Sequence, residues 1–340
     1  MKILGIETSC DETAVALVEG KNGRVREIES LVASQIDIHA VTGGVVPEVA
    51  AREHVSAIIP LVSTLLGKWN KKPKIDAIAV TAGPGLFSSL MVGVETAKAL
   101  ALAWDIPLVA VNHIEGHLYS SSINSDASIK FPALALIVSG GHTELILMKG
   151  HGSYRLVGRT KDDASGECFD KTAQMMELGY PGGPAVAKAA LKGDPAAYIL
   201  PRPMLKEKNF DFSFSGLKTA VLYSTRDTRF KMHDSRNDMA SSVQAAIVEV
   251  LVEKTIRAAK KFKTKTLIVG GGVIANDALR AALAARSKKD LPKVELRLPQ
   301  KRYSTDNAVM IAAAGYFHAI KRDFVSPSKI KADPNWELVD

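Results

Sequence analysis

His113 and His117 stand four residues apart in NHIEGHLYS, residues 112–120, in a chain that has only 8 histidines. In a helix the two imidazoles lie one turn apart on one face. There they either share an ion or remain two polar side chains on a solvated surface. The H-E-x-x-H metalloprotease motif places its general-base Glu directly after the first His. Here Glu115 holds the third position and Gly116 follows, so its side chain points to a different part of the helix surface, which disfavours a protease. A third ligand is available as Asp306 in YSTDNAVMIAAAGYFHAI, residues 303–320. Ser304, Thr305 or Asp306 equally suits the cap of the helix that follows. Two His and one carboxylate leave coordination positions open, the pattern of a catalytic site, and suit Fe(II) or Zn(II) alike.

A second chemistry rests on small residues. SGGHT at 139–143 is a turn whose backbone can approach a phosphate without a Cβ in the way. VGGGVIAN, 269–276, places Asn276 at the start of the next helix, where Asn equally suits a simple cap. YPGGP, 180–184, is a third glycine turn, and ECFDKTAQMM, 167–176, puts Asp170 and Lys171 at the edge of an apolar helix face. Three glycine loops in one half exceed ordinary packing needs and point to a nucleotide. Neither the P-loop nor the Rossmann fingerprint is present.

The elements that must position these residues repeat. KILGIETSCDETAVALVE, 2–19, and ALALIVSGGHTELILM, 133–148, each read as strand, polar turn and strand. Residues 76–104 and 264–286 each read as buried strand, glycine loop and helix, an arrangement that offers backbone N–H groups to an anion. Two such halves facing each other predict a cleft. With 340 residues, 46% of them apolar, the chain can bury two cores. We expect a first domain over 1–125, completed by the C-terminal helix and tail at about 306–340, and a second over 126–305. The polar stretch 121–130 is the candidate linker, and RDFVSPSKIKADPNWELVD reads as an extended surface tail.

Bulk properties narrow the class. A net charge of +8 favours a polyanionic partner, although many basic proteins are merely soluble. Cys10 and Cys168 are too few for a disulfide framework and lack zinc-knuckle spacing, which suits a reducing cytosol. No basic leader precedes a long apolar region, and the apolar stretch 97–111 is too short and interrupted to span a bilayer. The expectation is a cytoplasmic protein with no membrane association.

Taken together, the segments resemble the TsaD family, the bacterial threonylcarbamoyl transferases of tRNA modification, formerly called glycoproteases. The matching stretches are GIETSCDETAVAL (5–17), GGVVPEVAAREH (43–54), TAGPGLFSSLMVG (81–93), HIEGH (113–117), VSGGHT (138–143), GECFDKTA (166–173), YPGGP (180–184), FDFSFSGLKTA (210–220), GGGVIAN (270–276) and STDNAVMIA (304–312). They fall in family order across nearly all of residues 5–312. The resemblance implies an α/β fold of two duplicated actin/Hsp70/sugar-kinase-like, RNase H-like domains around a central cleft. It implies transfer of the threonylcarbamoyl group from threonylcarbamoyl-adenylate to N6 of adenosine 37 in tRNAs that read codons beginning with A.

Carried onto this sequence, His113, His117 and Asp306 would hold one divalent metal ion, Fe(II) first and Zn(II) second. Val138, Ser139, Gly140, Gly141 and His142 would line the phosphate and acyl region of the adenylate or an adenine nucleotide. Asp170, Gly183 and Asn276 would contact its adenosine part. Asp11 and Glu12 are candidates for proton handling or nucleotide coupling, or a solvated turn that caps itself; Cys10 is read as packing. Candidate tRNA contacts are KWNKKPK (68–74), KKFKTK (260–265) and Lys301-Arg302, each of which also reads as an ordinary solvated run. Further implied partners are an inactive paralogue subunit, a small P-loop ATPase and an upstream synthase that makes the adenylate. Two departures stand out: Ala308 where the family usually has Gly, and Ile274 where Ser is common. His142 in SGGHT is the bacterial form, since archaeal and eukaryotic cytosolic relatives have SGGNT.

Overall fold

The computed structural model describes residues 1–67, 72–226 and 232–339. The chain divides into two compact units, Met1–Ile129 with Pro299–Asp340, and Lys130–Leu298.

Numbered along the chain, unit 1 contains strands β1 (Lys2–Glu7), β2 (Glu12–Lys21), β3 (Arg24–Ser34), β4 (Ala77–Gly83) and β5 (Leu108–Asn112). Its helices are α1 (Ile36–Ala40), α2 (Pro47–Leu66), α3 (Phe87–Trp104), α4 (His113–Tyr119) and the last of the chain, α10 (Ala308–Ala319). Unit 2 contains β6 (Ala133–Val138), β7 (Thr143–Gly150), β8 (Ser153–Arg159), β9 (Thr266–Gly270) and β10 (Glu295–Arg297). Its helices are α5 (Ser165–Met175), α6 (Gly182–Ala190), α7 (Ser215–Arg226), α8 (Met232–Lys261) and α9 (Asp277–Asp290).

The two sheets share one topology. Their orders are β3-β2-β1-β4-β5 and β10-β9-β6-β7-β8, the second being the first read from the opposite edge. In each unit the first three strands pair antiparallel through short turns. The last two strands pair parallel, after helical crossovers. Both sheets are therefore mixed and both units α/β. The fully buried strands AIAVTAG (β4), ALALIV (β6) and TLIVG (β9) are continuous apolar or small-residue runs, as strands covered on both faces require.

Helix α2 is long and apolar enough to cross a bilayer by length and composition. Its buried residues Ala50, His54, Ile58, Val62 and Leu65 nevertheless recur at three- and four-residue steps and lie against the sheet. That is the stripe of a helix on a protein core. Helix α10, AVMIAAAGYFHA, is buried at every position except His318. It lies across β1, β2, β4 and β5 and beside α4. Two glycines permit that approach: a Cβ on Gly5 would strike the Ala308 carbonyl, and one on Gly315 would strike Ala79.

Two readings of connecting segments change. The candidate linker 121–130 opens in a 3-10 turn, and its Ile123 is buried and bridges Val25. The C-terminal tail is extended but anchored: Val325 N–H bonds to Leu108 C=O, Asp333 N–H bonds to Ala82 C=O, and Ile330 enters the unit 1 core. Apolar Val325, Ile330 and Trp336, spaced irregularly, carry too weak a periodic signal to have shown this.

Candidate functional site

The chemistry of unit 1 gathers where β5 runs directly into α4. Asn112 ends the strand and caps the helix, its Oδ1 accepting from the Ile114 N–H at 2.9 Å. All seven residues of α4 are buried. The His113 and His117 rings lie edge to face, with centroids 4.7 Å apart. Asp306 arrives from the segment before α10, its Oδ1 3.4 Å from His113 Nε2 and 3.3 Å from His117 Nε2. The cap alternative for Ser304, Thr305 or Asp306 does not hold. Asn307 caps α10 by accepting from the Met310 N–H at 3.0 Å, which leaves the Asp306 carboxylate to turn toward the imidazoles.

The donor set fits a small divalent ion. The ligand atoms of His113, His117 and Asp306 all lie within 4.8 Å of one another. A tetrahedral ion held at about 2.0–2.1 Å by N and O ligands needs donors about 3.3 Å apart, close to the two separations above. His117 is fully buried, yet neither ring nitrogen makes a hydrogen bond, a cost that coordination of Nε2 would offset. Burial works to raise the Asp306 carboxyl, but the two imidazoles hold it well below the usual carboxylate range. Burial opposes charge on His113, yet Asp306 and Glu7 raise it well above its ordinary value, while burial lowers His117. These three residues can hold a metal ion.

Three residues around them carried no functional signal in the sequence. Glu7, at the end of β1, faces His113 Nδ1 at 3.2 Å, and Ser9 Oγ lies 3.1 Å from the same nitrogen. A carboxylate closing an otherwise apolar buried strand was the only trace of Glu7. The third is His318, whose Nε2 lies 2.8 Å from Glu115 Oε2 and whose Nδ1 lies 2.7 Å from Asp323 Oδ2. Glu115 thus turns to α10.

Burial opposes charge on His318, but Glu115 and then Asp323 push it up to about 9. Its contribution to stability is complete below the unfolded value of about 6.5 and is lost as pH rises through the folded value of about 9. Because Asp323 is exposed and screened, His318→Gln is expected to cost on the order of 2 kcal/mol at about pH 6 and almost nothing above about pH 9.5. Chemical denaturation at the two pH values checks this; an equal loss at both refutes it.

Asp11 and Glu12 lie at the turn into β2, and the Asp11 C=O accepts from the Gln35 N–H at 3.0 Å. Burial, then the carboxylates of Asp306 and Asp11, push Glu12 up to about 10. Burial also raises the Cys10 thiol far above its ordinary range, in keeping with a packing role. Cys168 is fully buried and is likewise pushed up, to about 12.

In unit 2 the start of α5 and the glycine loop after β9 meet the end of β6 and the β6–β7 turn. Ser139 N–H donates to His142 C=O at 2.8 Å, and His142 N–H donates to Ser139 Oγ at 3.1 Å, closing SGGH tightly. Gly166, in the first turn of α5, donates its N–H to Ser139 C=O at 3.1 Å. Gly271, at φ +92°, lies against the Val138 carbonyl. A Cβ on Gly166 or Gly271 would collide with that backbone, whereas Gly140, Gly141, Gly183 and Gly272 face open space. The first pair are packing glycines; the others leave backbone accessible to a ligand.

The side chain of Val138 is in the core, so only its backbone is available. Asp170 Oδ1 accepts from the Gly182 N–H at 2.8 Å, fixing the turn that presents Gly183. Asn276 caps α9 through the Leu279 N–H at 3.0 Å and donates to Gln244 Oε1 at 2.7 Å, so both ends of its amide serve the fold. Ile274 is fully buried in the unit 2 core, where its departure from Ser is a packing change.

Comparisons with known proteins agree in one direction. The family model for tRNA N6-adenosine threonylcarbamoyltransferase, TsaD, matches residues 27–313. A protein of that description from Anaeromyxobacter sp. (strain Fw109-5) is 49% identical over 99% of this chain and 100% of its own length. Another, from Geobacillus kaustophilus, is 49% identical over 92% of this chain and 90% of its own. Among solved structures, HypF from T. kodakarensis superposes with a TM-score of 0.62 at 13% identity, over 94% of this chain and 48% of that one, a likeness of fold alone. A family model spanning most of the sequence and near-half identity from end to end place this chain in the TsaD family of tRNA N6-adenosine threonylcarbamoyltransferases.

Proposed function

We propose that this member of the family, a tRNA-modifying transferase, takes the threonylcarbamoyl group from threonylcarbamoyl-adenylate. The acceptor is N6 of adenosine 37 in tRNAs reading codons that begin with A. The observation that carries the reading is the meeting of the buried pair His113 and His117 with the half-buried Asp306, brought in from nearly two hundred residues further along the chain. Fe(II) is the first candidate for the ion and Zn(II) the second, since both accept two imidazoles and a carboxylate. When bound, the ion would supply Lewis acidity and a template for the threonyl carboxylate and hydroxyl.

The rest of the chemistry falls to the chain. The exocyclic amine of adenine is a weak nucleophile, so its N–C bond to the carbamoyl carbon must form as the C–O bond to AMP breaks and N6 loses a proton. Within the Ser139–His142 turn the backbone N–H groups of Gly140 and Gly141, which the turn's own hydrogen bonds do not use, would receive the phosphate charge, with Val138 backbone beside them. Asp170, Gly183 and Asn276 would border the adenosine part, Asp170 by shaping the turn ahead of Gly183. Asp11 and Glu12 are the candidates for handling the proton. Burial and the neighbouring carboxylates push Glu12 up to about 10, which disfavours it as a base at neutral pH.

tRNA, as a polyanion, matches the chain's net charge of +8. Of the basic runs, 68–71 lies outside the described residues, Lys260 pairs with Asp290 at 3.2 Å, and Arg302 pairs with Glu27 at 3.0 Å over the Tyr303 ring. We place the protein in the cytoplasm, away from membranes, working with an inactive paralogue subunit, a small P-loop ATPase and an upstream synthase. Reconstitution with these proteins, threonine, bicarbonate, ATP and tRNA is expected to yield threonylcarbamoyladenosine on nucleoside analysis. Its absence where a relative makes it under the same conditions overturns the reading.

A further inference from the structure

Glu7 is fully buried, and both its carboxylate oxygens are occupied. Oε1 accepts from the Ser9 N–H at 2.5 Å, Oε2 accepts from the Thr81 hydroxyl at 2.6 Å, and Oε2 also faces His113 Nδ1 at 3.2 Å. The carboxylate is thereby pinned to the turn after β1 and to β4, and cannot rotate away from the imidazole. At the far side of that ring, Nε2 faces Asp306.

An imidazole with one proton can ligate an ion only through its bare nitrogen. Two groups compete to decide which nitrogen that is, because Ser9 Oγ also lies 3.1 Å from Nδ1 and a hydroxyl can donate or accept. If Ser9 donated, Nδ1 would be the bare nitrogen and Nε2, the one turned to Asp306, would carry the proton. An ionised carboxylate can only accept. Beside Glu7, Nδ1 must therefore be the donor, and Nε2 keeps its lone pair on the side of Asp306 and His117.

We infer that Glu7 is a positioning residue of the metal centre: it selects the His113 tautomer, fixes the ring's orientation and strengthens Nε2 as a ligand. Thr81 and Ser9 hold Glu7 in that role through its two oxygens. The inference rests on the reading of His113, His117 and Asp306 as the metal ligands.

The first test uses the wild-type protein, uniformly 15N-labelled and loaded with zinc. Nitrogen shifts are expected to show His113 Nδ1 protonated and Nε2 ligated; the reverse assignment overturns the inference. The second is a competition titration of zinc against a chromogenic chelator. Glu7→Gln, nearly isosteric but able to donate from its amide, is expected to bind zinc about 10–100-fold more weakly. Ser9→Ala is expected to stay within about threefold of wild type. Glu7→Gln binding as wild type does, or Ser9→Ala losing as much as Glu7→Gln, overturns the inference. If wild type and Asp306→Asn bind zinc equally poorly, the metal-centre reading itself fails, which is a separate outcome. Should Glu7→Gln not fold, the wild-type spectrum still decides.

Discussion

Asp306→Asn is expected to leave the fold intact while lowering metal affinity and threonylcarbamoyl transfer by on the order of a thousandfold or more, since loss of even an outer partner of a ligand costs about 10–100-fold. The substitution removes a charge and one ligand and changes almost nothing in volume. The helix behind it does not depend on Asp306, because Asn307 supplies the cap through the Met310 N–H. It is the Asp306 carboxylate that answers both Nε2 atoms, at 3.4 and 3.3 Å. Without it, two buried imidazoles are left to share a cation alone. Metal content by atomic emission and single-turnover transfer to tRNA measure the two effects, with thermal unfolding as control. Wild-type metal content and rate in a folded variant would refute the assignment.

Gly5→Val is expected to destabilise unit 1 by about 3 kcal/mol or more, at the upper end of overpacking costs. Gly5 sits in β1 where α10 crosses it, and even its Cβ would meet the Ala308 carbonyl oxygen. That oxygen belongs to backbone and cannot rotate aside as a side chain would. Yielding would lift the start of α10 and, with it, Asp306 two residues earlier. Folding and metal binding should therefore fall together, seen as a melting transition lowered by roughly 6 °C or more. Gly140→Ala, where the added carbon meets open space, should melt near wild type. Equal melting of the two variants would falsify the packing account.

The difference between those glycines shows how far a sequence can be read. Gly5 and Gly140 are the same letter inside family motifs, and nothing local distinguishes a glycine that admits a helix from one that leaves backbone open to a ligand. The distinction lies in what packs opposite, and for Gly5 that is a residue some three hundred positions away.

Local pattern did determine a good deal. The two strand–turn–strand segments and the glycine turn between β6 and β7 follow from periodicity and turn chemistry within short windows, whereas the helix that sets His113 and His117 one turn apart is only a condition of the metal reading. Motif order across the chain was enough for the family, because ten short matches in sequence are far more specific than any one of them. Tertiary structure alone decided which polar residue capped α10, where Glu115 pointed, and what stood behind His113. The competition among Ser304, Thr305, Asp306 and Asn307 for one cap is close in energy when judged locally. It is resolved by two imidazoles that the chain brings in from nearly two hundred residues earlier. Glu7 and His318 lie in elements whose apolar patterns mark them only as exceptions. Their roles come from partners remote in sequence, and spacing along the chain carries no record of such contacts.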